Sequence, residues 1–247
     1  MKPTLIILYI VLLLSVTVKA QYTGQGKIEY ERKINVQRQF DEMEDNEWIQ
    51  RIKSQIPKFK VSYFDLYFNT SKMLYKPGKE APDNKAFTMF GSGPASDNIV
   101  YTDVKNKRVQ ASKQVYEQKF IIQDSMRKLK WKITDEIRTI ANFKCRKAVS
   151  KICDSVYVVA FYTDDILVSG GPEMFSGLPG MIMELAIPRL YTTWVATNVE
   201  LTPPKETDFT IPEKGKKITQ KELTEKLQAS LKEWGKSTQR NIWWCML

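Results

Sequence analysis

The chain has 247 residues, with 38 Lys and Arg against 28 Asp and Glu, a formal charge of +10, and no histidine. The missing imidazoles exclude Ser-His-Asp and Cys-His catalysis, the usual zinc sites and imidazole pH switching. Basic residues are interleaved with acidic ones, and the densest cluster (Arg127, Lys128, Lys130, Lys132) has the form of a turn leading into a strand. That pattern describes a solvated surface and implies no nucleic-acid partner.

Residues 1–20 have the three parts of a secretory leader: Lys2, an apolar run from Leu5 to Val16, and Val18-Lys19-Ala20 as the cleavage site. The run is about a dozen residues, short of the roughly 20 that span a bilayer. Residue 21 is Gln and not the Cys of a lipoprotein. The expectation is a periplasmic or secreted product, residues 21–247, folded as a single β-rich domain with no transmembrane segment.

Gly26 to Val36 reads as an opening strand, with Ile28, Tyr30, Ile34 and Val36 at even spacing. A short helix is expected next, with Trp48, Ile49, Ile52 and Ile56 on one face and Pro57 as its stop. Phe59 to Phe68 and Met73 to Tyr75 form a hairpin around the polar turn Asn69-Thr70-Ser71. Residues 77–97 are rich in Gly and Pro and read as irregular, with Phe87, Met89 and Phe90 docking on the core or facing a ligand.

From Asn98 onward short strands follow at about ten-residue spacing, the signature of an antiparallel sheet. Val156 to Tyr162 is apolar at nearly every position and reads as a central strand covered on both faces. After Pro203-Pro204 comes an amphipathic helix at about 220–234. Thr219 is its N-cap with Glu222 three residues on, and Leu223, Leu227, Leu231 and Trp234 form its apolar stripe. The fold class expected is mainly β (α+β): one large antiparallel sheet, curved or partly closed, with a short N-terminal helix and the C-terminal helix packed on it.

The most tightly specified stretch is Gly170 to Leu185, where two Gly/Pro turns bracket Phe175 and run into an apolar strand. It lacks the Lys-Ser/Thr of a phosphate loop. Glycines for special backbone angles, prolines for turns, and Phe175 and Leu178 as core plugs give the architectural reading. The competing reading makes Phe175, Leu178, Phe87 and Phe90 the mouth of an apolar binding site.

Within this stretch Gly177-Leu178-Pro179-Gly180-Met181-Ile182 resembles the hexapeptide that names the GLPGLI family of exported Bacteroidetes proteins, with Met181 in place of Leu. The resemblance is strongest over 131–201. It takes in Trp131, Cys145 with Lys147 and Ala148, Phe161-Tyr162 before Asp164-Asp165-Ile166, and Gly171, Pro172 and Phe175 at the family spacing. The chain departs from it at Phe161, where the family has Trp, at Cys153-Asp154, where it has a Gly-Arg turn, and at Leu167, where it has Pro. The resemblance implies export, a β-rich domain, no established catalysis, and company with TonB-dependent outer-membrane receptors.

Other chemistry is thinner. Asp164, Asp165 and Glu184 lie near the motif, but a hydrolase would need two of them converging in a cleft, and the Asp pair suits a turn. Met181 and Met183, two apart on a strand, suit Cu(I) or ordinary core filling, the latter preferred. Cys145 and Cys153 are spaced for a disulfide across a hairpin turn, leaving Cys245 over. No cofactor is called for. The sequence therefore predicts a non-enzymatic binding or accessory protein, partnered by an outer-membrane β-barrel receptor or a hydrophobic or peptide ligand; the alternative is a copper-handling envelope protein or a hydrolase.

Overall fold

The computed structural model describes residues 23–41, 51, 56–81, 93–153, 155–230 and 237–247. It is mainly β. The strands are β1 (Gly26–Asn35), β2 (Phe59–Phe68), β3 (Lys72–Pro77), β4 (Ile99–Asp103), β5 (Arg108–Val115), β6 (Gln118–Ser125), β7 (Lys132–Ile140), β8 (Phe143–Ile152), β9 (Val156–Thr163), β10 (Met181–Ile187), β11 (Thr192–Glu200) and β12 (Lys216–Ile218). The helices are α1 (Val36–Asp41), α2 (Gln220–Ser230) and α3 (Ser237–Cys245). None of the described helices is long and apolar enough to cross a membrane.

All twelve strands join one open sheet in the order β12-β6-β5-β4-β3-β2-β1-β11-β10-β9-β8-β7. Its pairs are antiparallel as expected, except that β12 runs parallel to β6, which makes the sheet mixed. Alternation decides the faces. On β1, Ile28, Tyr30, Arg32 and Ile34 are buried on one face, while Lys27, Glu29, Glu31 and Lys33 lie on the other. Lys27 there meets Glu29 at 3.1 Å and Asp65 at 3.3 Å.

The sheet is bent into a trough. On a flat sheet β7 and β11 would stand about 19 Å apart, four spacings of roughly 4.8 Å, yet their Cα atoms come within 8 Å of one another. Across the trough Lys113 of β5 bonds to Cys245, while the neighbouring Trp244 packs on Trp194 of β11 at 6.2 Å between rings. Two bulges help the bend. One sits at Thr197, where the β1–β11 register shifts and the Thr197 hydroxyl bonds the Glu29 carbonyl at 3.2 Å. The other sits at Met183, between Ile182 and Glu184 in the β9–β10 register.

Several local expectations hold for visible reasons. Asn69 Oδ1 accepts from the Ser71 and Lys72 amides, both at 2.9 Å, closing the β2–β3 turn. Thr219 and Glu222 form the reciprocal cap of α2, at 2.7 and 3.2 Å. Leu223 and Leu227 of α2 are buried; Leu231 and Trp234 lie outside the described residues, as do Trp48, Ile49 and Ile52 of the expected N-terminal helix. The short helix that is described, α1, begins at Val36, where the opening strand was expected to continue.

Strand β9 is covered on both faces only in its second half: Tyr157, on the outer face near the β8–β9 turn, is 60% exposed. Cys145 and Cys153 do not form the disulfide that their spacing suggested. Cys145 lies near the start of β8 and Cys153 just past its end. Eight residues of extended chain separate them by about 26 Å, far beyond the roughly 7 Å limit between Cα atoms for a bridge.

Candidate functional site in the trough

The loop 164–180, which carries the Gly/Pro motif, leaves β9 and folds across the inside of the trough before entering β10. It is anchored to β10 by a parallel bridge, Gly170 with Met181, and by the Ile182 amide on the Gly170 carbonyl at 2.8 Å. Gly171, Pro172, Phe175, Leu178, Gly180, Met181 and Ile182 are buried, and only Gly177 and Pro179 of the motif are exposed. A Cβ on Gly180 would stand 1.9 Å from the Thr163 carbonyl oxygen, so no other residue fits there. Gly177 has φ +96°, and its amide donates to Ser169 Oγ at 2.8 Å. Trp131 Nε1 donates to the Ser176 carbonyl at 3.0 Å, tying the loop to the start of β7.

The loop delivers Glu173, at φ 55°, to the trough floor. Its Oε2 accepts from Asn98 Nδ2 at 2.8 Å, and its Oε1 from the Tyr75 hydroxyl at 3.4 Å. Trp194 Nε1 donates to the Tyr75 oxygen at 3.1 Å. Burial pushes the Glu173 carboxyl above its ordinary value, against the pull of Asn98 and of the Arg32 and Lys113 charges.

Two wholly buried cations face this carboxylate. Arg32, on β1, donates to the Ser96 carbonyl at 2.7 Å and to Ser62 Oγ at 3.4 Å. Its guanidinium lies 4.5 Å from the centre of the Phe64 ring and 5.7 Å from that of Trp244. Lys113, on β5, donates to the Cys245 carbonyl at 2.8 Å. Desolvation pulls its pKa down to about 8. A third cation, Arg127, follows β6; it sits 5.6 Å from the Phe175 ring and donates to the Met246 carbonyl.

Helix α3 closes the trough over this cluster. It buries Ile242, Trp244 and Cys245, with Leu247 beyond it, and is held by Arg240 on the Gln39 carbonyl and Asn241 on the Tyr116 hydroxyl. Between loop and sheet a cavity of about 10 Å³, lined by Tyr75, Thr102, Glu173, Phe175 and Ser176 among others, is close to the size that holds one water. Phe175 thus reaches a cavity wall, whereas Leu178 is core; Phe87 and Phe90 lie outside the described residues.

The other candidates are not brought to the trough floor. Asp164 and Asp165 line a separate cleft of about 210 Å³ with Ile137, Lys144, Cys145, Arg146 and Tyr162. Burial pushes the Cys145 thiol up to about 12, which keeps it protonated. Glu184 points to the outer face and is held by Arg138 at 2.9 and 3.0 Å. Met181 and Met183 are both fully buried, and the bulge at Met183 interrupts the alternation that would put them on one face. Among the described residues no three His, Cys, Asp or Glu side chains cluster as metal ligands.

With this geometry in hand, the chain matches a family model described as a protein of unknown function (Porph_ging) over residues 149–184. The window covers the end of β8, β9, the loop and the first residues of β10. No curated protein matches the chain. Among solved structures it is similar to PNGF-II in the P21 space group, with TM-score 0.51, 17% identity, and 82% of this chain and 32% of that chain covered. It is similar also to PNGF-II in the C2 space group, with TM-score 0.51, 15% identity, and coverages of 89% and 33%. An uncharacterized conserved protein from Thermus thermophilus matches with TM-score 0.40, 8% identity, and coverages of 85% and 99%. The chain spans about a third of the length of PNGF-II, and at these identities the likeness is one of fold alone.

Proposed function

We propose that this chain is a non-enzymatic binding protein of the GLPGLI kind, exported with a leader cleaved after residue 20 and working beside an outer-membrane receptor. The observation that carries the binding reading is the charged floor of the trough. Arg32, Lys113 and Glu173 are buried there under a helix of the chain itself. Burying ionised groups costs several kcal/mol each after relaxation, and an apolar core of the same shape would be at least as stable. A fold that keeps such groups under a separate helix, α3, is organised to engage something at that face.

Ligand-dependent thermal shift of the purified mature protein against a panel of amphiphiles and peptides tests the binding reading. Saturable stabilisation supports it, and no shift from any class removes it. Affinity capture from native envelope tests the partner: recovery of an outer-membrane β-barrel supports the receptor reading, and recovery of none ends it. Mass spectrometry of the secreted product tests cleavage after Ala20.

A further inference from the structure

We infer that the trough floor is a site for an oxyanion-headed amphiphile, a carboxylate or phosphate head on a long apolar tail, and that α3 occupies this site in the closed protein. The inference rests on the binding reading above and names the class of ligand.

Charge is the first ground. Arg32, Lys113 and Arg127 converge on a floor that offers one carboxylate, Glu173. Buried charges are ordinarily matched by opposite charges. Here Lys113 is matched by the Cys245 carbonyl, Arg127 by the Met246 carbonyl and, through space, by the exposed Asp124 carboxylate, and Arg32 by a carbonyl, a hydroxyl and two rings. Arg32 Nε and Arg127 Nη1 are buried without a hydrogen-bond partner among the described residues, as is Asn98 Oδ1. The bonds from Lys113 and Arg127 to carbonyls are already charge-assisted at the donor; an oxyanion would add the opposite charge and, for a guanidinium, two-oxygen geometry that a single carbonyl does not offer.

The shape of the present occupant is the second ground. Segment 242–247 presents apolar bodies (Ile242, Trp244, Leu247) to the trough wall and two carbonyl oxygens, of Cys245 and Met246, to Lys113 and Arg127. An apolar body with oxygens at one end has the outline of an amphiphile, and it lacks only the charge. An oxyanion head seated where those two oxygens lie would offset the excess of buried positive charge. Its tail would take the apolar wall that Trp244 now covers beside Trp194.

The test uses the mature full chain and titrates decanoate, decyl phosphate and neutral decanol, each below its micelle concentration, with tryptophan fluorescence as readout. The expected result is at least tenfold tighter binding of an anionic probe than of decanol. The ratio of decanoate to decyl phosphate affinity assigns the head. Lys113→Met should erase the preference while retaining decanol binding, and Arg127→Met, on a half-buried residue, gives the same reading if the first variant does not fold. Equal affinity for charged and neutral probes overturns the oxyanion head and leaves the binding reading standing. Binding of none of the three by folded protein overturns the amphiphile, and the binding reading falls with it only if the peptides of the thermal-shift panel also fail to bind. Displacement of α3 only by a peptide of residues 237–247 added in trans makes the trough a peptide groove and overturns the amphiphile.

Discussion

The hydroxyl of Tyr30 donates a 2.6 Å hydrogen bond to the carbonyl of Ile182, 152 residues further along the chain. Ile182 stands beside the bulge at Met183, where the β9–β10 ladder is interrupted, and the fully buried tyrosine of β1 satisfies its carbonyl from inside the trough. The bond ties the central strand to the point where the motif loop enters the sheet. Tyr30→Phe keeps the ring and leaves that carbonyl buried without a partner, so we expect a loss of about 1–3 kcal/mol in urea denaturation. An unchanged midpoint would show that the bulge carbonyl finds another donor.

Gly180→Ala should be among the most damaging single-methyl changes in the chain. The added carbon would meet the Thr163 oxygen at 1.9 Å, backbone against backbone, and we expect a loss of about 3–5 kcal/mol or failure to fold. Gly177→Ala meets nothing closer than Trp131 at 3.5 Å but must hold φ +96°, so it should cost about 1–2 kcal/mol. Gly93→Ala, whose added carbon meets nothing within 4 Å among the described residues, is the neutral control. Thermal melts of the three variants should rank in that order.

Lys113 gives the fold a pH dependence of definite sign. Its folded pKa of about 8 lies below the ordinary 10.5, so between those values the unfolded chain binds the extra proton. The stability linked to this group is present above pH 10.5 and lost as pH falls through about 8. Wild type should therefore gain on Lys113→Met between pH 8 and 10.5, by on the order of 3 kcal/mol at most. Burial raises the Cys145 and Cys245 thiols to about 12 and about 11; these act in the opposite direction, Cys145 equally in both proteins and Cys245 more strongly in Lys113→Met, which lacks the Lys113 charge that pulls this thiol down, so the difference adds to the wild-type gain. A flat difference would contradict a charged, buried Lys113. Glu173, raised by burial, contributes stability that is full below pH 4.5 and lost as pH rises through its folded pKa, so Glu173→Gln should remove that acid-side slope.

The three cysteines should divide by reactivity. Cys153 is exposed, while Cys145 and Cys245 are buried with raised thiol pKa values. Maleimide at neutral pH should modify Cys153 within minutes and the other two only as fast as the fold opens. A non-reducing digest should yield no peptide joining Cys145 to Cys153. Rapid modification of Cys145 would mean that the β8–β9 face is not packed as described.

Much of the sheet was legible because period-two alternation reports a half-buried strand directly, and the Asn69 turn and the Thr219–Glu222 cap declared themselves through local hydrogen bonding. The site was less so. Arg32 stands in phase with Ile28, Tyr30 and Ile34, and Lys113 with Val109, Ala111 and Val115. A cation inside an apolar alternation was thus a readable sign of a buried charge, hidden by treating every Lys and Arg as solvated surface. Glu173 left no such trace, since a loop has no period. Helix α3 lies beyond the last expected helix, whose apolar stripe ends at Trp234, although Ile242, Trp243 and Trp244 form a compact apolar group. The parallel pairing of β12 depends on three residues meeting a distant edge, and nothing local specifies that.

That α3 covers a binding face is tested most directly by backbone hydrogen exchange of residues 237–247. The protected amides there include those of Met246 and Leu247, bonded to the Ile242 and Trp244 carbonyls at 3.1 and 3.2 Å. With saturating decanoate or decyl phosphate, exchange in this segment should rise at least tenfold while β1 and β11 hold or gain protection. Exchange in 237–247 that is unchanged or slowed at saturation would contradict the account, because α3 would then be a fixed part of the core.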